Sequence, residues 1–376
     1  MEMDATGRPA CGNGFQDRLA LAQTVVDLDV ERRGEDGLID RLLADARTRV
    51  MLVDGGLVAV PRRAHGLAPE ALDCAEDPAA PRPDAKAPAG EVPLAFIELA
   101  EARSIAALEG CLAIYLGINR TAEPEVPHLA LDITRATDVP PASHRGADAE
   151  FEAAGVPALG TVRRRFDWVE LRSFAPSATQ LDAGLATSAV AVSMWHAGQR
   201  FCPACGAPAR PALAGWAQTC SNPADPDRLL FPRIEPAVIT AIVDDDDRIL
   251  LQNNTAWRPR FFSVSAGFVE AGESLEHAVA REAMEEVGIE LDQIRYLGSQ
   301  PWPFPASIML GFRAHARTTD ARVDHEEVAS ARWFTRAELA RAVEAGEVEL
   351  PGRASIARHM IEDWFGAPLG GIGSPS

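Results

Sequence analysis

Residues 267–289 read G-F-V-E-A-G-E-S-L-E-H-A-V-A-R-E-A-M-E-E-V-G-I. Gly267 marks a turn, Glu273 follows after a short loop, and a helix carrying Arg281, Glu282, Glu285 and Glu286 closes at Gly288. At roughly 100° per residue, Glu282, Glu285 and Glu286 fall in one arc, because positions three and four apart share a face. So dense a set of carboxylates repels itself unless something cationic sits on it. Hard divalent cations choose oxygen ligands, and Mg²⁺ in particular is held by a few carboxylates plus substrate phosphates. The stretch reads as a metal site for phosphate chemistry rather than as an acidic helix face turned to water.

The bulk properties bound what surrounds it. A chain of 376 residues is long enough for two or three domains. Its 47% hydrophobic and 24% charged content is that of an ordinary soluble protein. No run approaches the roughly 20 apolar residues of a membrane span. Met1 to Phe15 lacks the basic region and apolar core of a secretory signal. The expectation is a cytoplasmic protein with no membrane partner. A formal net charge of −19 argues against a broad electrostatic grip on nucleic acid, while leaving room for a local basic pocket. Lys86 is the single lysine and lies in a Pro/Ala-rich stretch, which excludes Schiff-base chemistry and a phosphate-loop lysine. Cationic work falls to arginine, the better residue for forked phosphate contacts.

Around the quoted stretch, a region from about 236 to 366 reads as mixed strands and helices, an α/β sandwich. Strands are expected at 237–243, 248–252, 261–264, 294–297 and 307–315, with an acidic turn at 244–247 and a helix at 355–365. The tail 367–376 is rich in Gly, Ser and Pro. Upstream, 198–235 opens with Arg200-Phe201-Cys202-Pro203-Ala204-Cys205-Gly206, and Cys220 returns past Trp216. That is the knuckle of a zinc ribbon, with Cys202, Cys205 and Cys220 as ligands. A structural zinc takes four ligands, and no fourth cysteine follows; Asp225 or Asp227 is the candidate, unless the ribbon shape has outlived its metal. Cys11, Cys74 and Cys111 are scattered and read as free thiols. Residues 1–197 alternate strands and helices, with a hairpin at 50–60 around Gly55-Gly56 and a buried strand at 112–116. The five prolines of 76–93 suggest a surface insertion, and a helix is expected over 180–196.

Beyond the signature helix lies Ser299-Gln300-Pro301-Trp302-Pro303-Phe304-Pro305-Ala306-Ser307. Alternating prolines and aromatics make a stiff extended segment with little entropy left to lose on binding. The spacing of the 267–289 stretch resembles the signature of Nudix hydrolases, with Ala283 where a bulkier aliphatic is usual. Together with the 299–307 segment and the ribbon, the chain resembles the NADH pyrophosphatase branch of that family. The resemblance implies a Nudix α/β/α sandwich preceded by a zinc-ribbon-like module and a degenerate Nudix-like N-terminal domain, and a homodimer as the assembly. It implies Mg²⁺ or Mn²⁺ on Glu282, Glu285, Glu286, the Ala266 carbonyl and Glu327, with structural Zn²⁺ in the ribbon.

For the substrate it implies contacts from Gln300, Pro301, Trp302, Pro303, Phe304, Pro305, Ala306, Ser307 and the Ala357 backbone. Phe268 would stack on the nicotinamide. Phe231 stands where tyrosine is frequent, keeping the face and losing the hydroxyl. Gly215 replaces a substrate-contacting Glu found in some relatives, and Arg172 is a candidate basic contact. The implied reaction is hydrolysis of NADH or NAD⁺ to a nicotinamide mononucleotide and AMP, with removal of NAD caps from RNA as a related activity on the same bond. One glutamate of the 285/286 pair would orient or deprotonate water, Arg281 would fix the carboxylates, and Glu273 would support that arrangement. A broader nucleoside-diphosphate-X hydrolase acting on ADP-ribose is the rival within enzymes. A catalytically silent NAD-binding regulator is the rival outside them, and it would be expected to have lost a signature glutamate.

Overall fold

The computed structural model describes residues 14–23, 25–62, 91–137, 159–225, 227–323 and 325–370. Cys11, Cys74, Lys86, Asp324, most of the expected insertion and the last six residues of the tail lie outside them. Among the described residues the chain forms two compact units, one within 23–233 and one of 14–22 with 234–370. Residues 14–22 were expected with the N-terminal domain. They pack instead with the signature-bearing unit, because Phe15 and Leu19 are buried in its core. Val92, at the end of the expected insertion, is also buried, its N–H donating to the carbonyl of Ser177.

In the 23–233 unit, Val50 to Val53 are all 1% exposed or less, as suits a strand covered on both faces. They form β1 (Arg49–Asp54), which turns at Gly55 and Gly56, both at positive φ, into the antiparallel β2 (Leu57–Pro61). The other strands are β3 (Phe96–Ile97), β4 (Leu112–Asn119), β5 (Val126–Asp132) and β6 (Phe166–Glu170). Their order is β4-β5-β1-β2-β6, with β3 on β1. The expected helix appears as Gln180–Gly198, its start capped by Thr179. Its last turn meets the ribbon strands β7 (Ala209–Ala212), β8 (Ala217–Cys220) and β9 (Leu229–Leu230). His196 Nε2 contacts the Gly215 carbonyl at 2.8 Å, and Gln218 donates to Nδ1 at 3.0 Å. A carbonyl can only accept, so the ring carries its proton on Nε2. Trp216 donates to the Tyr115 carbonyl at 2.6 Å beneath the Arg33 guanidinium, 3.8 Å above its ring. The ribbon is thus bound into this unit.

The second unit contains β10 (Glu235–Val243), β11 (Ile249–Asn254), β12 (Ser265–Phe268), β13 (Leu291–Trp302), β14 (Ser307–Ala316) and β15 (Val328–Phe334). β10 alternates across the sheet. Val238 and Ile242 join the clusters of Ala278, Val279, Ala283 and Val287 from the signature helix. Ile239, Ala241 and Val243 join Leu339 and Met360 from the helices Arg336–Glu344 and Ile356–Phe365. Helices on both faces make it an α/β/α sandwich. Two expectations shift. Residues 261–264 form only isolated bridges, the strand lying at Ser265–Phe268, and the strand expected at 294–297 runs on to Trp302. The helix Arg336–Glu344 was not expected, although Thr335 and Glu338 form a capping box legible in the sequence.

The two large sheets are topological twins. The second has the order β13-β14-β10-β11-β15, with β12 on β10. Each of its strands has a counterpart in the first sheet at the same place in chain order. The parallel pair β10/β14 matches β1/β5, and the antiparallel pairs match likewise. The N-terminal domain is therefore Nudix-like in topology. The helix after β3, Leu99–Ala106, carries Glu101 and Arg103 in place of the Arg-Glu and Glu-Glu pairs.

Candidate active site

The signature helix, Leu275–Val287, begins where Ser274 Oγ accepts from the His277 N–H at 3.3 Å and ends at Gly288 with φ 65. Its apolar positions turn into the sheet, which leaves Arg281, Glu282 and Glu285 toward the loop that precedes it. Arg281 is the hub. Its Nε and Nη2 donate to the two oxygens of Glu273 at 2.9 Å each. Its Nη1 donates to Glu282 at 2.9 Å and to Glu285 at 2.8 Å, and Nη2 also reaches the Phe268 carbonyl at 3.0 Å. One forked cation thereby ties loop, strand end and helix together. Hydrogen bonding from Arg281 holds the Glu273 carboxyl down at about 2, so Glu273 stays ionised.

Glu282 lies against β12. A Cβ built on Gly267 would fall 1.9 Å from the Glu282 carboxyl carbon, so only glycine admits that carboxylate to the strand. Burial raises the pKa of Glu282 above its ordinary range, Arg281 lowers it, and Glu285 and Glu327 add repulsion. Glu286 is only 5% exposed. Ser265 donates to its Oε2 at 2.6 Å and Gln252 at 2.9 Å. Burial still pushes Glu286 up to about 7, against those two donors and with help from Glu282 and Glu327. Glu327 is exposed, and its charge reaches both helix glutamates. Ala266, exposed on β12, lies between Ser265 and Gly267. Among the described residues the oxygens of Glu282, Glu285, Glu286 and Glu327 are not gathered as closely as the ribbon sulfurs. The fit to a hard divalent cation rests on their chemistry, all oxygen donors, with Glu286 buried and crowded by the charges of Glu282 and Glu327. Ser265 and Gln252 escaped the sequence reading. They reach Glu286 across sheet pairings, and nothing in the helix period points to them.

The expected substrate residues divide. Phe268 is 57% exposed beside this site. Trp302 and Phe304 stack edge to face with centroids 5.1 Å apart. Pro303 is buried, while Pro301, Ala306 and Ser307 are half-buried and Pro305 exposed. Gln300 is turned inward by the strand alternation to 0% exposure, and its amide nitrogen donates to the Ala354 carbonyl at 2.5 Å. Ala357 is buried in the first turn of the helix Ile356–Phe365, its N–H donating to Ser355 Oγ at 3.2 Å. In the other unit, Phe231 is 61% exposed and Arg172 half-buried. Gly215 has φ 93, and a Cβ there would lie 2.8 Å from the Ala113 carbonyl, so this chain has no room for a longer side chain at that position.

In the ribbon, the sulfurs of Cys202, Cys205 and Cys220 lie within 4.8 Å of one another. That soft donor set fits zinc. Neither candidate fourth ligand joins the group: Asp225 is paired with Arg228, and Asp227 is exposed. Cys111 is half-buried, and burial pushes its thiol up to about 12, so it stays protonated.

Among known proteins, residues 233–353 match the family described as the NUDIX domain. Residues 233–353 are thus a Nudix domain. Residues 198–225 match the NADH pyrophosphatase zinc ribbon domain, directly ahead of it. The "NAD-capped RNA hydrolase NudC" of Mycobacterium bovis is 45% identical over 205 residues, covering 52% of this chain and 64% of that protein. "Nudix hydrolase 19, chloroplastic" of Arabidopsis thaliana is 39% identical, covering 52% of this chain and 47% of its own length. "NAD-capped RNA hydrolase NUDT12" of Macaca fascicularis is 34% identical, covering 49% and 42%. The matched stretch thus spans less than two thirds of each relative. Among the described residues, no helix is long and apolar enough to cross a membrane.

Proposed function

We infer that the chain hydrolyses the pyrophosphate of a nicotinamide dinucleotide, NADH or NAD⁺, to a nicotinamide mononucleotide and AMP, and acts on the same bond in NAD-capped RNA. The observation that carries this reading is the Arg281 hub, which gathers Glu273, Glu282 and Glu285 beside the buried Glu286. The ribbon and the relatives' printed names support the choice of dinucleotide.

A divalent cation bound by Glu282, Glu285, Glu286, Glu327 and the Ala266 carbonyl would neutralise charge on the pyrophosphate and acidify water. Arg281 is the positioning residue, holding carboxylates that would otherwise splay apart. Glu273 keeps Arg281 in place. Ser265 and Gln252 both donate to one oxygen of Glu286, which orients the other toward the reaction. In the reaction, the oxygen of a water adds to one phosphorus and the bridging P–O bond breaks. A glutamate of the 285/286 pair takes the water's proton, and the released mononucleotide leaves with the bridging oxygen. Phe268 and the Trp302–Phe304 pair supply aromatic faces for the bases. The same reading takes Mg²⁺ or Mn²⁺ as the ion, zinc in the ribbon, a homodimer as the assembly and the cytoplasm as the compartment.

The test is product identification from NADH, NAD⁺, ADP-ribose and NAD-capped RNA, side by side, with Mg²⁺ or Mn²⁺. AMP and a nicotinamide mononucleotide are expected from the first two. Faster cleavage of ADP-ribose would shift the reading to a broader nucleoside-diphosphate-X hydrolase, and no cleavage of any of them would end it.

A further inference from the structure

Among the described residues, β13 is the edge strand of its sheet and pairs only with β14. Edge strands leave N–H and C=O groups without a partner strand, yet at Ser299 that outer side is taken. The Ser299 N–H donates to Gln16 Oε1 at 2.9 Å, and Gln16 Nε2 donates to the Ser299 carbonyl at 2.8 Å. A single side-chain amide, 283 residues away in the chain, makes both bonds that a neighbouring strand would make. The strand is shaped to receive it: a Cβ on Gly298 would lie 2.6 Å from Gln16 Oε1 and 3.2 Å from the Phe15 ring. Gly298 is not among the glycines at positive φ, so its missing side chain serves the close approach and not the backbone.

The rest of the segment is anchored on either side of that amide. Phe15 and Leu19, 6% and 0% exposed, lie in one core with Met360 and Trp364. Arg18 pairs with Asp363 at 2.6 Å, on the helix Ile356–Phe365. One residue further along the strand, Gln300 ties the interior to the Ala354 carbonyl. The start of the 300–307 segment is therefore gripped from both sides, from outside by Gln16 and from inside through Gln300.

We propose that residues 15–19 are a clamp that positions the dinucleotide-binding segment, with Gln16 as its positioning residue. The clamp fixes the edge strand at Ser299, so that the Trp302–Phe304 pair starts from a set point. This rests on the reading that residues 300–307 bind the dinucleotide.

The test uses the full chain and Gln16→Ala, read by hydrogen exchange and by steady-state hydrolysis of NADH with Mg²⁺. The amides of Ser299, Gln300 and Trp302 are expected to exchange at least about ten-fold faster. KM is expected to rise about five-fold, with kcat changed less than about two-fold, the signature of lost binding and not of lost chemistry. Gly298→Ala reaches the same end independently, since its methyl group displaces the Gln16 amide. Because both variants break one contact, the double variant should be no worse than the more affected single one. Unaltered exchange at these amides in both variants would overturn the clamp. So would a uniform loss of protection across the unit with kcat falling alongside, which marks a merely structural role. A chain that cleaves no dinucleotide, yet loosens at 299–302 in Gln16→Ala, would end the proposed function and leave the clamp standing.

Discussion

At the scale of single residues, chemistry and room compete for the same space. Glu286 is a carboxyl in a buried setting, pushed up to about 7, and Glu286→Gln keeps the volume while removing the ionisable group. AMP release is expected to fall by about 10²–10⁴-fold, with the far-ultraviolet circular dichroism unaltered; full activity would remove Glu286 from the site. Gly267→Ala tests room alone, because the new methyl group would overlap the Glu282 carboxyl carbon at 1.9 Å. It should cost more than about ten-fold in kcat/KM and raise the Mg²⁺ concentration needed for half-activity. A third residue acts through pH. His128 on β5 is 3% exposed, neither ring nitrogen has a hydrogen-bond partner among the described residues, and burial followed by the charge of Arg49 pushes it down to about 4 from 6.5. Between those values the unfolded chain binds a proton that the folded chain refuses. Stability is thus full above pH 6.5 and falls as pH drops toward 4, by on the order of 3 kcal/mol from this residue. Urea midpoints measured across that window should show a shallower acid slope in His128→Leu than in the parent chain.

At the scale of elements, what could be read from the sequence depended on how local the cause was. The signature helix was legible because its carboxylates recur at the helix period and its Ser274 and Gly288 ends are marked. The hairpin was legible from two apolar runs meeting at Gly55-Gly56. Gln252, Ser265 and Gln16 were not, since each reaches its partner through sheet pairing or core packing that no sequence spacing encodes. The inward turn of Gln300 was hidden likewise: an extended segment alternates its faces, but only the sheet decides which face is buried. The ribbon is the element least able to stand alone. Strands of four, four and two residues bury too little to hold a fold, so a metal would contribute much of the folding energy. Cys205→Ser should lower zinc from about one ion per chain to well under half of that by atomic absorption. It should also quench or shift the fluorescence of Trp216, whose ring is held between Arg33 and the Tyr115 carbonyl. Unchanged zinc content would remove Cys205 as a ligand.

At the scale of the molecule, a net charge of −19 sets how anionic partners approach. A capped RNA carries many phosphates and a free dinucleotide few, so long-range repulsion weighs more on the RNA. Raising salt from about 20 to 200 mM shortens the screening length, and the ratio of kcat/KM on NAD-capped RNA to that on NAD⁺ should rise about three-fold. A falling ratio would point instead to a local basic groove that dominates the encounter.

The twin sheets carry a consequence for stoichiometry. Two frameworks with the same strand partners were built from stretches whose letters show no repeat, and the first has Glu101 and Arg103 where the second has its paired acids. On the proposed reading, and among the described residues, each polypeptide offers one framework furnished with the carboxylate cluster and one duplicate framework without it. Turnover per subunit should count single sites, however many copies assemble.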